Sequence, residues 1–191
     1  MKIRNILKTV FYTLFITLFI SCSVENNESS NHNNTKIKVA VFNGSGASAV
    51  CIIETYESLK IDTVISAGFI SAREITEGKL DSFDVIIFPG GSASKELNNL
   101  GQNAADKVIE YVKSGHGAVG ICAGGYLFST TKDYPSLQLV SATEWDRAHY
   151  DKGRALVEFE LTPEGESVFP ELTNQSCFLQ YYDGPVFMPA D

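Results

Sequence analysis

Histidine and basic residues are scarce in this 191-residue chain. It holds three histidines, and its 23 acidic residues outnumber 15 basic ones, for a formal net charge of −8 at pH 7. Such a balance argues against nucleic acid as a partner, because phosphate backbones are bound through clustered Lys and Arg. The four cysteines form no Cys-x-x-Cys pair and no His/Cys cluster with metal-ligand spacing. We therefore predict no metal site and no cofactor.

The first 21 residues have the composition of an export signal. Three basic residues precede an eleven-residue, almost wholly apolar stretch at residues 10–20, which is too short to span a bilayer but suits a signal-peptide core. The following LFISC at residues 18–22 resembles a bacterial lipoprotein lipobox, although Phe19 is bulkier than the usual residue at its position. We expect Cys22 to become a lipidated N-terminus that anchors an exported protein to a membrane of the cell envelope. The alternative is a simple signal peptide or an uncleaved anchor in which Cys22 has no role.

A polar tether and one folded domain follow Cys22. Residues 23–35 (SVENNESSNHNNT) contain a single apolar residue, which predicts a flexible segment. The 156 residues from 36 to 191 are enough for one α/β core. Removing the three basic residues of the signal changes the formal charge from −8 to −11, which also disfavours direct binding to anionic lipid head groups. The sequence leaves open whether Cys51 and Cys177 pair, and it does not indicate the oligomeric state.

Apolar runs and helical periodicity alternate along the first two thirds of this domain. Buried strands are predicted at residues 37–42 (IKVAVF), 83–88 (FDVIIF) and 118–122 (AVGIC), with a shorter one at 63–65. Helices are predicted from residue 49 to 59, from 104 to 112 after an N-cap at Asn103, and from Ala123 onward. This alternation predicts an α/β fold with a mostly parallel sheet and right-handed crossovers. Short strands at 137–140, 155–161 and 177–182 are predicted to follow.

Glycine-bearing turns end three of the predicted strands. They are Asn43-Gly44, the PGG at residues 89–91, and the segment GICAGG at residues 120–125. Ligands of open α/β sheets bind at the carboxyl ends of the strands, so the three turns are predicted to converge on one site. In the last segment Cys122 takes the central position of a nucleophile elbow, Gly-x-Cys-x-Gly. There we expect backbone N–H groups at the following helix to favour the thiolate.

Five segments of the chain carry a family resemblance. They are VFNGSG at 41–46, FDVIIFPGG at 83–91, GICAGGY at 120–126, LTPEG at 161–165 and YYDGP at 181–185. Taken in order, they resemble the class I glutamine amidotransferase-like superfamily, and within it the biotin-protein ligase N-terminal domain-like family. The resemblance implies a flavodoxin-like three-layer sandwich with Cys122 as nucleophile. It also implies an oxyanion hole formed by the N–H of Ala123 and an N–H near Gly90 or Gly91, since glycine allows close backbone approach.

The chain departs from that superfamily in its catalytic base. Complete members supply a His-x-Glu pair after the elbow, and this sequence has none. His149 is the single histidine after Cys122 and is the candidate base, with Glu144, Asp146 or Asp151 to orient it; the alternative is a surface histidine in a charged loop. His116 precedes the elbow strand and is expected roughly 20 Å from Cys122, too far for a base. Either the chain continues beyond Asp191 or the domain has lost the triad.

Three functions are compatible with these patterns. The first is an envelope lipoprotein whose Cys122 hydrolyses amide or acyl bonds. The second is a non-catalytic lipoprotein that keeps the elbow as architecture and binds a small molecule or peptide in the strand-end cleft. A thiol-based redox role is a third option. The candidate oxyanion or binding residues are Asn43, Gly44, Gly90, Gly91 and Ala123.

Overall fold

The computed structural model of the protein describes residues 36–145 and 153–190. A four-stranded parallel sheet forms its centre, with strand order β2-β1-β3-β4. This is the order of a flavodoxin-like doubly wound sheet. The α/β fold predicted from the alternating pattern is therefore confirmed. The four strands are β1 (Ile37–Phe42), β2 (Ile65–Ile70), β3 (Val85–Phe88) and β4 (Gly117–Gly120).

Alternate residues of the central strands pack against opposite helical layers. On one face, Ala40, Phe42, Ile86 and Phe88 join the main core together with residues of helices α2, α3 and α4. On the other face, the buried side chains of β1 and β3 lie on the side of helix α1, whose buried residue is Ile52. The two central strands are thus covered on both sides, as their continuous apolar sequences predict. The helices are α1 (Ala49–Leu59), α2 (Ala72–Thr76), α3 (Ala93–Lys113) and α4 (Ala123–Phe128).

Two antiparallel strand pairs follow the sheet. Strand β5 (Ala142–Glu144) pairs with β8 (Phe187–Pro189), and β6 (Arg154–Phe159) pairs with β7 (Cys177–Tyr182). A short helix α5 (Pro163–Val168) lies between β6 and β7; the Thr162 side chain caps it by accepting the N–H of Gly165. These pairs carry the late segments of the chain back toward the carboxyl ends of the parallel strands.

Several predicted boundaries were wrong. The second strand is an edge strand at Ile65–Ile70 rather than 63–65, because its Gly-containing sequence gives a weak apolar signal. Helix α3 begins ten residues before Asn103 and kinks at Gly101, where φ is 64°. Residues 137–140 form no strand; the N–H of Leu137 instead donates to the Leu127 carbonyl, 2.7 Å away. They therefore extend the packing of α4.

Helices long and apolar enough to cross a membrane are absent from residues 36–145 and 153–190. The predicted signal peptide, Cys22 and the tether lie outside the described residues, as does His149.

Candidate functional site

Cys122 stands at a sharp turn between β4 and α4. Its backbone has φ 53° and ψ −103°, a conformation that a non-glycine residue adopts only at an energetic cost. The N–H of Ile121 is still held in the sheet by the Phe88 carbonyl at 2.9 Å, while the carbonyl of Cys122 already accepts the N–H of Gly125 at 3.0 Å. Strand and helix meet at this one residue, which is the geometry of a nucleophile elbow.

Glycines make the turn possible by allowing backbone to approach backbone. A Cβ atom on Gly120 would collide with the carbonyl of Gly124 in the next turn. A Cβ atom on Gly124 would collide with the carbonyl of Phe88 at the end of β3. The spacing Gly-x-Cys-x-Gly is therefore a steric requirement of the strand–helix contact.

Two backbone N–H groups, those of Ala123 and Gly91, face the Cys122 thiol, and each acts to lower its pKa and so favours the ionised form. They come from two different turns, one after β4 and one after β3. Donors from two turns that converge beside a thiol are the kind of groups from which an oxyanion hole is built.

Burial nevertheless raises the pKa of the Cys122 thiol above its ordinary value, and the nearby Cys51 thiol and Asp183 carboxylate add to that increase. These effects outweigh the two N–H donors. The backbone N–H groups favour the thiolate, as the elbow pattern predicts, but desolvation of the charged form is larger and sets the net direction. The thiol also donates weakly to the Tyr182 carbonyl, with Sγ and oxygen 3.8 Å apart.

A cavity of about 600 Å³ opens beside the thiol. A volume of that order suits a small molecule. Its wall is formed by the two turns that carry the N–H donors, by the start of α3 and by side chains from the later strand pairs. The lining residues are Gly91, Ser92, Ala93, Ser94, Cys122, Ala123, Tyr126, Tyr134, Glu144, Tyr182 and Asp183.

Tyr126 connects the two acidic residues of this lining. Its ring lies 6.3 Å from the Tyr134 ring, and its hydroxyl contacts the Asp183 backbone carbonyl at 3.4 Å. It is also hydrogen-bonded to the Glu144 side chain, which is only 7% exposed. Burial first, and then the charge of Glu144, raise the pKa of Tyr126. The cavity wall is therefore rich in negative charge and in aromatic surface.

The structure separates the predicted binding residues into two groups. Gly91 and Ala123 line the cavity, whereas Asn43 and Gly44 do not. Gly44 instead approaches Asn99 of α3 so closely that a Cβ atom would overlap its side chain. Gly90 lies behind the site: a Cβ atom there would be 3.1 Å from the Cys51 sulfur.

The turn at residues 43–47 contacts the turn that contains Gly91 and does not itself line the cavity. The Gly46 carbonyl accepts the N–H of Ser92, and Ala47 forms a β-bridge with Gly91. These bonds hold the turn that carries the Gly91 donor. Asn43 and Gly44 thus belong to the turn that holds Gly91 in place and do not line the cavity.

Histidines do not reach the thiol within the described ranges. His116 lies at the start of β4, where its ring stacks on Tyr111 with centroids 4.1 Å apart and its Nδ1 lies 2.9 Å from the Ser114 hydroxyl. Residues 36–145 and 153–190 also contain no group of three His, Cys, Asp or Glu side chains suited to a metal ion. The thiols of Cys51, Cys122 and Cys177 are all free.

Sequence reasoning missed most of the acidic and aromatic wall. Tyr134 and Asp183 carried no role on their own, and Glu144 was considered only as a partner for His149. The signal that could have found Asp183 is the YYDGP segment at residues 181–185, which supports the family resemblance and supplies part of the wall. Glu144 and Tyr134 lie in irregular or short segments that have no periodic signal.

Comparison with known families decides which group the chain belongs to. Residues 37–141, more than half of the chain, match the family described as biotin-protein ligase, N terminal. The chain belongs to this family. The match covers the parallel sheet, the elbow and the start of the cavity wall, and it ends before the β6–β7 pair.

Individual relatives have low sequence identity to this chain. The biotin–protein ligase of Schizosaccharomyces pombe is 28% identical over 101 residues, which are 51% of this chain and 16% of the ligase. Among solved structures, one from Listeria monocytogenes EGD-e described as a candidate peptidase E protein covers 83% of this chain and 89% of its own. Its TM-score is 0.46 and its sequence identity 16%.

Proposed function

We propose that this member of the biotin-protein ligase N-terminal family is a cysteine-dependent hydrolase of amide or acyl bonds, with Cys122 as the nucleophile. The observation that carries the proposal is the strained backbone of Cys122, whose thiol meets the N–H groups of Ala123 and Gly91 at the edge of a cavity. Strained residues persist where the surrounding structure enforces them, and they concentrate at functional sites.

The reaction needs one acyl transfer to sulfur and one to water. The Cys122 sulfur attacks the carbonyl carbon, and the π electrons move to the oxygen, which the two N–H groups stabilise. Collapse breaks the bond to the leaving amine or alcohol, which takes up the proton lost from the thiol, and a thioester remains. Water then adds to the thioester, returns a proton to sulfur and releases the carboxylic acid. His149 is the candidate carrier of these protons.

The test is to trap the thioester. The full chain is incubated with p-nitrophenyl acetate, and intact-mass and peptide mass spectrometry are used to find the acetyl group. We expect a burst of p-nitrophenol and acetylation at Cys122, both lost in Cys122→Ala. The matched control is Cys51→Ala, which removes a neighbouring thiol but leaves the elbow intact. Acetylation that persists elsewhere in Cys122→Ala, with the same burst, would contradict the proposal.

A second candidate, non-catalytic binding of a small molecule or peptide, is favoured by the thiol itself. Its pKa is raised rather than lowered, and Asp183 adds a negative charge beside it. Under this alternative the cavity binds a ligand without acylation of Cys122. A ligand that binds equally to wild type and Cys122→Ala, together with no burst, would favour it.

We also propose that the domain is held at an envelope membrane by lipid on Cys22. The support is in the sequence: a basic start, an eleven-residue apolar core and LFISC at residues 18–22. Expression in a bacterial host with a labelled fatty acid tests it. Label should enter the wild-type chain and co-sediment with membranes, and Cys22→Ser should lose both. Labelling of Cys22→Ser at the wild-type level would refute lipidation at this residue.

A further inference from the structure

The charged side chains among the described residues that line the cavity beside Cys122 are both acidic, Glu144 and Asp183. Hydrogen-bond donors, the N–H groups of Ala123 and Gly91, converge at the thiol. Acceptors lie beyond it: these two carboxylates, of which one Asp183 oxygen also accepts the N–H of Gly153 at 2.7 Å, and the backbone oxygen of Tyr182. Among the described lining residues none is Lys, Arg or His. A ligand that satisfies both ends would need an acceptor at the thiol and donors beyond it.

We infer that this wall binds a primary ammonium group, so that the cavity takes an acyl compound with a protonated amine. The acyl part of this inference rests on the proposed function, whereas the ammonium part rests on the wall alone. An ammonium group carries three N–H donors and one positive charge, and it therefore matches acceptors and carboxylates. A ligand carboxylate would instead add a further negative charge to two existing ones.

Burial makes the interaction stronger than it would be at the surface. Glu144 is 7% exposed, and Tyr126 is held against it on one side and against the Asp183 carbonyl on the other. Charge interactions gain strength as water is excluded. A cation bound beside Glu144, whose carboxylate also accepts the Tyr126 hydroxyl, would therefore interact more strongly than one at an exposed carboxylate.

Aromatic faces add to the same preference. The Tyr126 and Tyr134 rings are tilted by 51° with centroids 6.3 Å apart, and both line the cavity. A cation near such rings is attracted by their negative faces. We assign only these two rings to the subsite, because the ring of Tyr182 already carries the Arg154 guanidinium, 3.7 Å from its centroid.

The test compares two ligands that differ in charge but hardly in shape. Butylammonium and 1-butanol are titrated into the full chain at neutral pH, and binding is followed by ligand-observed NMR. We expect butylammonium to bind at least about ten-fold more tightly, and Glu144→Gln to bring the ratio close to one. The matched control Glu160→Gln removes an exposed carboxylate of the same type and should keep the wild-type ratio.

Two further measurements keep the result decisive if Glu144→Gln fails to fold. In the wild-type chain the preference should weaken as salt is added, since added ions screen the attraction and compete with the ligand. In Asp183→Asn the ratio should fall several-fold. Equal binding of the two ligands, or a preference unaffected by the Glu144 and Asp183 substitutions, would overturn the inference.

A substrate pair separates this inference from the proposed function. Hydrolysis of the p-nitrophenyl esters of 6-aminohexanoate and hexanoate is measured as kcat/KM. If both inferences hold, the amino ester is preferred several-fold and Glu144→Gln removes the preference. Hydrolysis without preference refutes the ammonium subsite and leaves the hydrolase. A butylammonium preference without hydrolysis of either ester refutes the hydrolase and leaves the subsite.

Discussion

Glu96 is a fully buried acid, 0% exposed, in the first turn of α3, and its two carboxyl oxygens have no hydrogen-bond partner among the described residues. The turn at residues 43–47 covers it: a Cβ atom on Gly46 would collide with the Glu96 backbone. Burial raises the pKa of Glu96 from 4.5 to about 8. The folded protein therefore carries this carboxyl as the neutral acid at physiological pH.

A consequence is that stability should fall as pH rises. Between the ordinary pKa of 4.5 and the folded value of about 8, the folded chain retains a proton that the unfolded chain has lost. The free energy of unfolding then decreases across this range and is level above it. At about 1.4 kcal/mol for each pKa unit, the upper limit of the loss is about 5 kcal/mol. We expect roughly 2–4 kcal/mol, because water entry and local rearrangement reduce the cost of a buried charge.

Urea unfolding at intervals from about pH 5 to about pH 8.5 measures this slope. Glu96→Gln, which is uncharged at every pH, should flatten it and should be more stable relative to wild type at the alkaline end. Glu110→Gln, an exposed position on the same helix, is the matched control and should keep the wild-type slope. Tyr111, whose pKa is raised to about 12, titrates above the range.

The quantity to compare is the slope of the free energy of unfolding against pH. The stability at a single pH is not informative, because the Gln amide introduces buried N–H donors that change the stability by an amount independent of pH. Parallel wild-type and Glu96→Gln curves over the whole range would refute the reasoning. They would mean that the Glu96 carboxyl ionises in the folded state without cost, through a partner or a solvent path.

Three further changes test other parts of the fold and site. Gly124→Ala should lower the free energy of unfolding by about 1–3 kcal/mol or more through overlap with backbone, whereas Gly165→Ala, where a Cβ atom has ordinary space, should be close to neutral in the same urea assay. Ser71→Ala should cost about 1 kcal/mol because it removes a capping box, and Ser48→Ala, an N-cap without a side-chain bond, should cost much less. Iodoacetamide alkylation of Cys122, followed by peptide mass spectrometry, should have its midpoint above the value of about 8.5 for free cysteine, and a lower midpoint would contradict the thiol pKa direction.

The parallel sheet and the elbow were predictable because their signals are local. Residues 37–42 and 83–88 are nearly continuous apolar runs. The glycines at 120 and 124 flank Cys122 closely in the sequence, and each is required because a Cβ atom there would collide with backbone. The Gly-x-Cys-x-Gly pattern therefore reflects a steric requirement of the turn. The family resemblance then added the partner turn at Gly90-Gly91, and the Gly91 N–H lies beside the thiol.

The acidic wall was not predictable, because long-range chain pairing assembles it. Glu144 reaches the cavity on β5, which pairs with β8 over forty residues later, and Asp183 arrives after β7. Strand β5 has only three residues and no apolar pattern, and β7, although predicted at residues 177–182, gave no indication of where in space it would lie. Glu96 was missed for a related reason: the predicted helix began after Gly101, so its position in a first turn under another loop was not visible.

The raised thiol pKa and the acidic wall together indicate how the proposed hydrolase would be activated. Asp183 disfavours the Cys122 thiolate, and two N–H donors do not compensate for burial. A bound ammonium group would offset the carboxylates and bring a positive charge close to the sulfur, which favours the ionised form. The ligand that Cys122 attacks would then itself favour the thiolate. Ionisation of the thiol would not require His116, the histidine of the described ranges.

This coupling can be measured without turnover. Saturating butylammonium should lower the midpoint of Cys122 alkylation by iodoacetamide toward that of free cysteine, and 1-butanol at the same occupancy should not. In Glu144→Gln the two ligands should have equal effects. If butylammonium binds in preference to butanol yet leaves the alkylation midpoint unchanged, the ammonium group is recognised too far from the sulfur to influence its charge. The wall would then serve recognition alone, and a separate base would be required for the acyl transfer.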